Sequence, residues 1–150
     1  MKKLLFCFAL SLGTLGSAQK LKKEDVVGFW KLKESGFYQG KKKTVKIFDK
    51  CRLMRNYSIR EDGFAIYSYT EGDVENCSVS EPRLSFWRMI SNRIQFYSDE
   101  NNILEEVVVT INHDKTMTLS SYIPILTKDT DPKLEQAFNT IHYDILEKQY

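Results

Sequence analysis

Three charged residues fall in phase with large apolar residues along short, strand-like runs of this sequence. Arg55, Arg88 and Glu105 each alternate with apolar side chains, as residues on one face of a strand do. Their partners in phase are Leu53, Tyr57 and Ile59 for the first, Leu84, Phe86 and Ile90 for the second, and Ile103, Val107, Val109 and Ile111 for the third. A charge on an inward face must be paired or hydrogen-bonded, which is what the polar head of a small ligand can provide.

These positions predict a binding site for an amphipathic molecule. We expect Arg55 and Arg88, braced by Glu105, to receive a carboxylate or a similar group. The predicted apolar lining consists of Tyr57, Ile66, Phe86 and Phe96. A surface position for the three charges is the alternative, because Arg and Glu are common on outward strand faces. The opposite strand phases carry Tyr67, Tyr69, Trp87, Met89 and Tyr97, which predicts an outer aromatic surface or packing beneath a C-terminal helix.

No sequence pattern typical of catalysis accompanies these residues. The sequence has no nucleophile elbow, no His-x-x-x-His and no Gly-rich phosphate loop. His113 and His142 lack the close spacing of zinc ligands. We therefore expect no enzymatic activity, no metal and no cofactor, with an isomerase or cyclase that uses the pocket as an alternative.

The elements that position these residues are predicted to be strands. From residue 26 to residue 123, β-branched and aromatic runs alternate with turn residues every eight to twelve positions, which is typical of an antiparallel meander. Asp62-Gly63 and Ser91-Asn92 are the clearest hairpin turns. The predicted strands include residues 52–60, 64–70, 83–90, 93–98, 103–111 and 116–123.

The C-terminal residues combine a helix signal with a strand signal. Asp131-Pro132 is typical of a helix start, whereas residues 140–146 are rich in residues that favour strands. We expect a short helix and then a strand that covers the edge of the first strand. One continuous helix is the alternative.

The N-terminal residues have the layout of a secretory leader. Residues 1–3 are basic at two positions, residues 4–15 are apolar, and Gly16-Ser17-Ala18 is a small-residue cleavage site. The apolar run is shorter than the roughly 20 residues of a membrane-spanning helix. We expect cleavage after Ala18, one domain over residues 19–150, and a periplasmic or secreted protein. The bulky residue before Cys7 does not fit lipid attachment.

The net charge bears on which classes of partner the protein can bind, and the cysteines bear on a disulfide. The chain has 22 basic and 20 acidic residues, and removal of residues 1–18 takes away two lysines and no acid. The mature chain is therefore formally neutral, which disfavours nucleic acid and anionic membranes as partners. Cys51 and Cys77 remain as an even pair, and we expect them to form a disulfide in an oxidising compartment.

The order of these motifs is similar to that of a known superfamily. Gly28-Phe29-Trp30 is followed by Cys51, Asp62-Gly63, Cys77 and Trp87. In this order the chain resembles the lipocalin superfamily over residues 24–123, and more narrowly the lipocalin-like domains exported by bacteria of the Bacteroidetes type. The resemblance implies an all-β, up-and-down barrel of about 8–10 antiparallel strands, with a short C-terminal helix before the last strand. Gly28 would allow close approach of a neighbour, and Trp30 would close the bottom of the barrel.

The resemblance implies binding of a small hydrophobic or amphipathic ligand. A second hypothesis is a protein-interaction or inhibitor module whose barrel is filled by side chains. In that case loops at residues 37–43 and 125–131 would make the contacts. The two hypotheses differ in whether the barrel contains a cavity.

Overall fold

The computed structural model describes residues 20–46, 48–72, 75–123 and 139–150, and most of these lie in antiparallel strands. A short helix, α1 (Lys23–Val26), precedes the strands, and a 3-10 turn spans Arg52–Met54. The strands are β1 (Gly28–Gln39), β2 (Lys42–Lys46), β3 (Asn56–Ile59), β4 (Phe64–Ser68), β5 (Thr70–Glu71), β6 (Ser78–Val79), β7 (Arg83–Ile90), β8 (Arg93–Asp99), β9 (Asn102–Ile111), β10 (Met117–Ser121) and β11 (Thr140–Gln149).

Eight strands close into a ring, in the order β1, β3, β4, β7, β8, β9, β10, β11 and back to β1. Closure depends on β11, which pairs with β1 from Phe29↔Gln149 to Gln39↔Thr140. The predicted antiparallel barrel is confirmed, and so is a strand over residues 140–146. The alternative of one continuous helix is wrong, since Thr140–Gln149 form a strand. This strand covers the edge that β1 would otherwise expose. The helix predicted to begin at Asp131 lies outside the described residues.

Along its other edge, β1 pairs with two different strands. Residues 28–31 pair with β3, whereas residues 35–39 pair with β2. The predicted strand over residues 52–60 is therefore only partly correct, since β3 begins at Asn56. Its first residues form the 3-10 turn instead, because the Asp49 carboxylate accepts a hydrogen bond from the Arg52 backbone N–H at 2.9 Å.

One end of the barrel is closed by α1 and two tryptophans. Trp30 is 1 % exposed, and its indole N–H donates to the Val26 carbonyl at 2.8 Å. Trp87 donates in the same way to the Arg60 carbonyl at 2.8 Å. Because each buried indole has a hydrogen-bond acceptor, both rings contribute apolar area to the core without an unsatisfied N–H.

Gly28 has a backbone conformation that favours glycine, and the end of the Lys148 side chain lies close to it. Its φ is +148°, and an added Cβ would lie 2.6 Å from the Lys148 side chain. That lysine lies over the Trp30 ring, with its ammonium 5.2 Å from the ring centroid. The positive φ of Gly28 favours glycine here, whereas the flexible end of Lys148 could move away from a side chain at this position.

The predicted disulfide between Cys51 and Cys77 is confirmed, with the Cα atoms 5.5 Å apart. It joins the residue before the 3-10 turn to the segment that leads into β6. Thr70 of β5 reinforces the link, since its hydroxyl donates to the Cys51 carbonyl. These contacts hold the 3-10 turn against the small β5–β6 ribbon.

Candidate functional site

The barrel contains a cavity of about 400 Å³ between β3, β4, β7, β8 and β9. Its lining residues share the inward phase of the buried core or lie at the rim. They are Tyr57, Ala65, Tyr67, Arg83, Leu84, Ser85, Phe96, Leu104 and Glu105. A second cavity of about 80 Å³ shares Tyr57 and Glu105 and reaches Asp144 of β11. The interior is therefore open to a small molecule at this level of the barrel.

Aromatic rings form one wall of the larger cavity. Tyr57 and Tyr67 face each other across the β3–β4 pair, with stacked rings 4.5 Å apart between centroids. Burial, and then the neighbouring Tyr67, raise the pKa of the Tyr57 phenol above its usual range. Burial also raises the pKa of Tyr67. Both phenols are therefore neutral at physiological pH and can donate or accept a hydrogen bond.

Glu105 supplies an acidic group to both cavities. It has the phase of Val107 and Val109, which are buried, but it opens onto the cavity and is accessible there. Burial raises the pKa of the Glu105 carboxyl, and the charge of Asp144 raises it further. Such a carboxylate lies among protein atoms while it remains reachable by a ligand.

Arg55 lies near this wall but is not among the residues that line the cavity. Its guanidinium is 5.4 Å from the Phe48 ring centroid, and its buried Nε has no hydrogen-bond partner among the described residues. Its charge opposes the effect of burial on the pKa of Tyr67, where it is the second-largest influence, and it lowers the pKa of Tyr57 more weakly. The structure thus places Tyr57, Phe96 and Glu105 along the cavity, whereas Arg55 is not among its lining residues.

The predicted strand phase of β7 is wrong. Trp87 and Met89 pack in the core, whereas Phe86 is 39 % exposed and lies on the outer face. Arg88 is also outside, where its Nε donates to the Gln95 side chain at 2.8 Å. The face of β7 that carries Trp87 is the buried one, because burying the large indole contributes more free energy than burying the smaller side chains of the other face.

Two consequences follow for the predicted site. Arg88 lies on the outer face and bonds Gln95, whereas Arg55 precedes β3 and lies against the Phe48 ring, so the two do not form a joint carboxylate clamp. Ile66 is also on the outer face, where it pairs across strands with the 62 % exposed Leu84. The predicted outer position is wrong for Trp87 and Met89, which pack in or against the core, and for Tyr67, which lines the cavity.

Three residues that line the cavities are absent from the predicted site: Tyr67, Arg83 and Asp144. A signal for Tyr67 was present, because a tight Asp62-Gly63 turn places it opposite Tyr57 in the hairpin register. The position of Arg83 could be predicted in the same way, because Arg83 pairs with Tyr67 between β4 and β7. Asp144 had no local signal, since its strand meets the others only through barrel closure.

Two larger grooves, of about 570 and 820 Å³, lie outside the barrel near the β9–β10 turn. In the groove of about 570 Å³, several polar groups already have protein partners. Asn112 donates to the Thr118 hydroxyl at 2.9 Å. The Tyr143 hydroxyl donates to Glu34 at 2.8 Å, and Glu34 also pairs with Lys43 at 2.7 Å. The interior cavity, which holds an accessible acid with no such partner among the described residues, is the better candidate site.

The ring of strands, its closed end and its interior cavity define a closed antiparallel β-barrel, a fold that suggests small-ligand binding. The lipocalin-like domain family matches residues 26–119, which is more than half of the chain. The chain therefore belongs to the lipocalin-like domain family, whose members are typically binding proteins without enzymatic activity. A comparison with curated proteins gave no match.

Two further observations bear on where the protein works. The disulfide and the lipocalin-like fold are compatible with an exported protein. Across the part of the chain that the structure describes, no helix has the length and apolar character needed to cross a membrane.

Proposed function

We propose that this protein is an exported carrier that binds a small hydrophobic or amphipathic molecule inside its barrel. The observation that carries the proposal is the cavity of about 400 Å³, with an aromatic wall and an accessible carboxylate. Ligand sites in proteins typically combine mostly apolar lining with a few polar groups, and their volumes begin at about 300 Å³. A filled interior, as the protein-interaction hypothesis requires, does not agree with this cavity.

The residues proposed to contact the ligand are Tyr57, Phe96 and Glu105, from the sequence prediction, together with Tyr67. The stacked tyrosines offer flat apolar area and two hydroxyls. Arg55 contributes through its charge beside the tyrosines. The proposal also includes export with removal of residues 1–18. The Cys51–Cys77 disulfide supports export, because such a bond persists in an oxidising compartment.

A cavity-filling variant tests the carrier function. Ser85 lines the cavity, and Ser85→Leu would occupy part of its volume. We expect this change to weaken binding of a neutral fluorescent probe, N-phenyl-1-naphthylamine, by roughly 10-fold or more, since lost apolar contacts and clash each cost about 1 kcal/mol or more. Probe fluorescence in a titration measures the affinity.

The matched control is Ser58→Leu, which makes the same change on β3 at a position that pairs with the outward Ile66. It should leave probe affinity unchanged. Equal affinity of the wild type, Ser85→Leu and Ser58→Leu would contradict binding inside the barrel. Circular dichroism of each variant confirms that the comparison is made between folded proteins.

A further inference from the structure

Among the described residues, the cavity is lined by the acid Glu105, which has no protein partner, and by the cation Arg83, which bonds Tyr69. Glu105 comes from β9, and Arg83 comes from β7 at the rim. Within the described ranges, the Glu105 carboxylate has neither a hydrogen bond nor an ion pair. Glu105 is exposed where it opens onto the cavity, and a ligand that fills the cavity would take its charge out of water, so a ligand that supplies a counter-charge is favoured over one that does not.

The cations near the cavity are directed to aromatic groups instead. The Arg83 guanidinium lies 4.9 Å from the Tyr69 ring centroid, and its Nη2 donates to the Tyr69 hydroxyl at 3.4 Å. Arg55 lies against Phe48 and does not line the cavity. Neither arginine forms an ion pair with Glu105 in the described residues.

A second acid stands on the far side of Glu105. Asp144 lines the smaller cavity together with Glu105 and Tyr57. In register, Asp144 lies opposite Leu119, whose side chain belongs to the core. The inner end of the site is therefore negative, and a ligand carboxylate placed there would meet two like charges.

We infer that the bound molecule is a cationic amphiphile, with an apolar body in the larger cavity and an amine head group paired with Glu105. This inference rests on the proposed carrier function. The stacked rings of Tyr57 and Tyr67 suit such a ligand, because an ammonium group is attracted to the face of an aromatic ring. It replaces the carboxylate head group that the sequence predicts, since Arg88 lies outside the barrel.

Three ligands with the same apolar chain and different head groups test the inference. Decylamine, 1-decanol and decanoic acid are titrated at pH 7 into the mature, disulfide-bonded protein, below the concentrations at which they aggregate. Isothermal titration calorimetry gives each affinity. We expect decylamine to bind roughly 10- to 100-fold more tightly than decanol, as a hydrogen bond to a charged group provides, and decanoic acid to bind most weakly.

Two variants assign the preference to one carboxylate. Glu105→Gln keeps the shape and removes the charge, so the decylamine preference over decanol should fall to near 1-fold while decanol affinity persists. Glu147→Gln removes the same charge from an exposed position of β11 and should keep the wild-type preference. Decanol binding shows that each variant remains folded and competent.

The outcomes separate the inference from the function on which it rests. If all three ligands bind with equal affinity, or if decanoic acid binds most tightly, the cationic ligand is refuted and the carrier function stands. If none of the three binds, the carrier function itself fails. A decylamine preference that survives Glu105→Gln also refutes the pairing with Glu105.

Discussion

Glu105 occupies a strand position whose phase places Val107 and Val109 in the core, yet it carries an ionisable group. The cavity explains how both facts hold, because the side chain is surrounded by protein atoms on one side and by open volume on the other. The charged and titratable groups around it are Asp144 and His142 of β11, Tyr57 of β3, Tyr67 of β4, Arg83 of β7 and Arg55 beside the 3-10 turn.

The raised pKa of Glu105 makes a prediction about stability and pH. Because burial and Asp144 raise this pKa, the folded chain retains the proton at a pH where the unfolded chain has released it. The contribution of Glu105 to stability is complete below the pKa of an unfolded glutamate, and it is lost as the pH rises through the folded-state pKa. We expect Glu105→Gln to raise the urea unfolding midpoint at pH 7, and to change it little near about pH 4.

The control for this measurement is Glu147→Gln, which reports the effect of losing one exposed negative charge. The difference between the two variants at each pH isolates the interior position. An unfolding midpoint that Glu105→Gln raises equally at both pH values, or lowers at pH 7, would argue against a desolvated carboxylate.

At the scale of elements, β7 shows why strand phase is difficult to predict. Both of its faces carry large apolar residues, with Phe86 on one and Trp87 on the other. Outside the barrel, Phe86 stacks with Tyr97 at 5.6 Å between ring centroids, and Arg88 lies over the same Tyr97 ring. The outer residues therefore have a local packing of their own, and periodicity alone does not distinguish them from the core.

The 3-10 turn is the element most dependent on a covalent link. We expect the double variant Cys51→Ser/Cys77→Ser to lose about 3–4 kcal/mol of unfolding free energy, since the disulfide closes a loop with a sequence separation of 26. Probe affinity should fall as well, because Arg55 and Tyr57 directly follow the turn. Urea unfolding and probe titration measure the two effects.

Reduction of the wild type provides the matched comparison. A thiol reductant should destabilise the wild type by a similar amount and leave the double variant unchanged. A double variant as stable as the wild type would show that the hydrogen bond from Thr70 and the packing of Cys51 are sufficient to hold the turn.

At the scale of the whole molecule, the barrel depends on the pairing of its first and last strands. β1 pairs with β11 along one edge and with β2 and β3 along the other, so the β1–β11 pair closes the ring of strands. Lys148 of β11 and Trp30 of β1 meet at the closed end, while Asp144 of β11 reaches the cavity. One C-terminal strand thus contributes both to closure and to the candidate site.

The proposed export makes a prediction about the mature chain. When residues 1–150 are expressed in a bacterial host, we expect a product that begins at Gln19, because Gly16-Ser17-Ala18 supplies the small residues of a cleavage site. Intact-mass spectrometry of the exported fraction measures the terminus. Ala18→Leu should block cleavage, and a wild-type product that retains residues 1–18 would refute the proposal.

Local patterns in the sequence were sufficient for the class of fold, most strand positions and the pairing of neighbours. Alternation and turn residues act over a few positions, so Asp62-Gly63 and Ser91-Asn92 specify their hairpins without distant contacts. The parity of the cysteines likewise indicated the disulfide. Only the tertiary structure decided which face of β7 is buried, since this depends on competition between Trp87 and Phe86 for one core. It also decided that Asp144 joins Glu105, because closure of the ring brings together strands that are far apart in the chain.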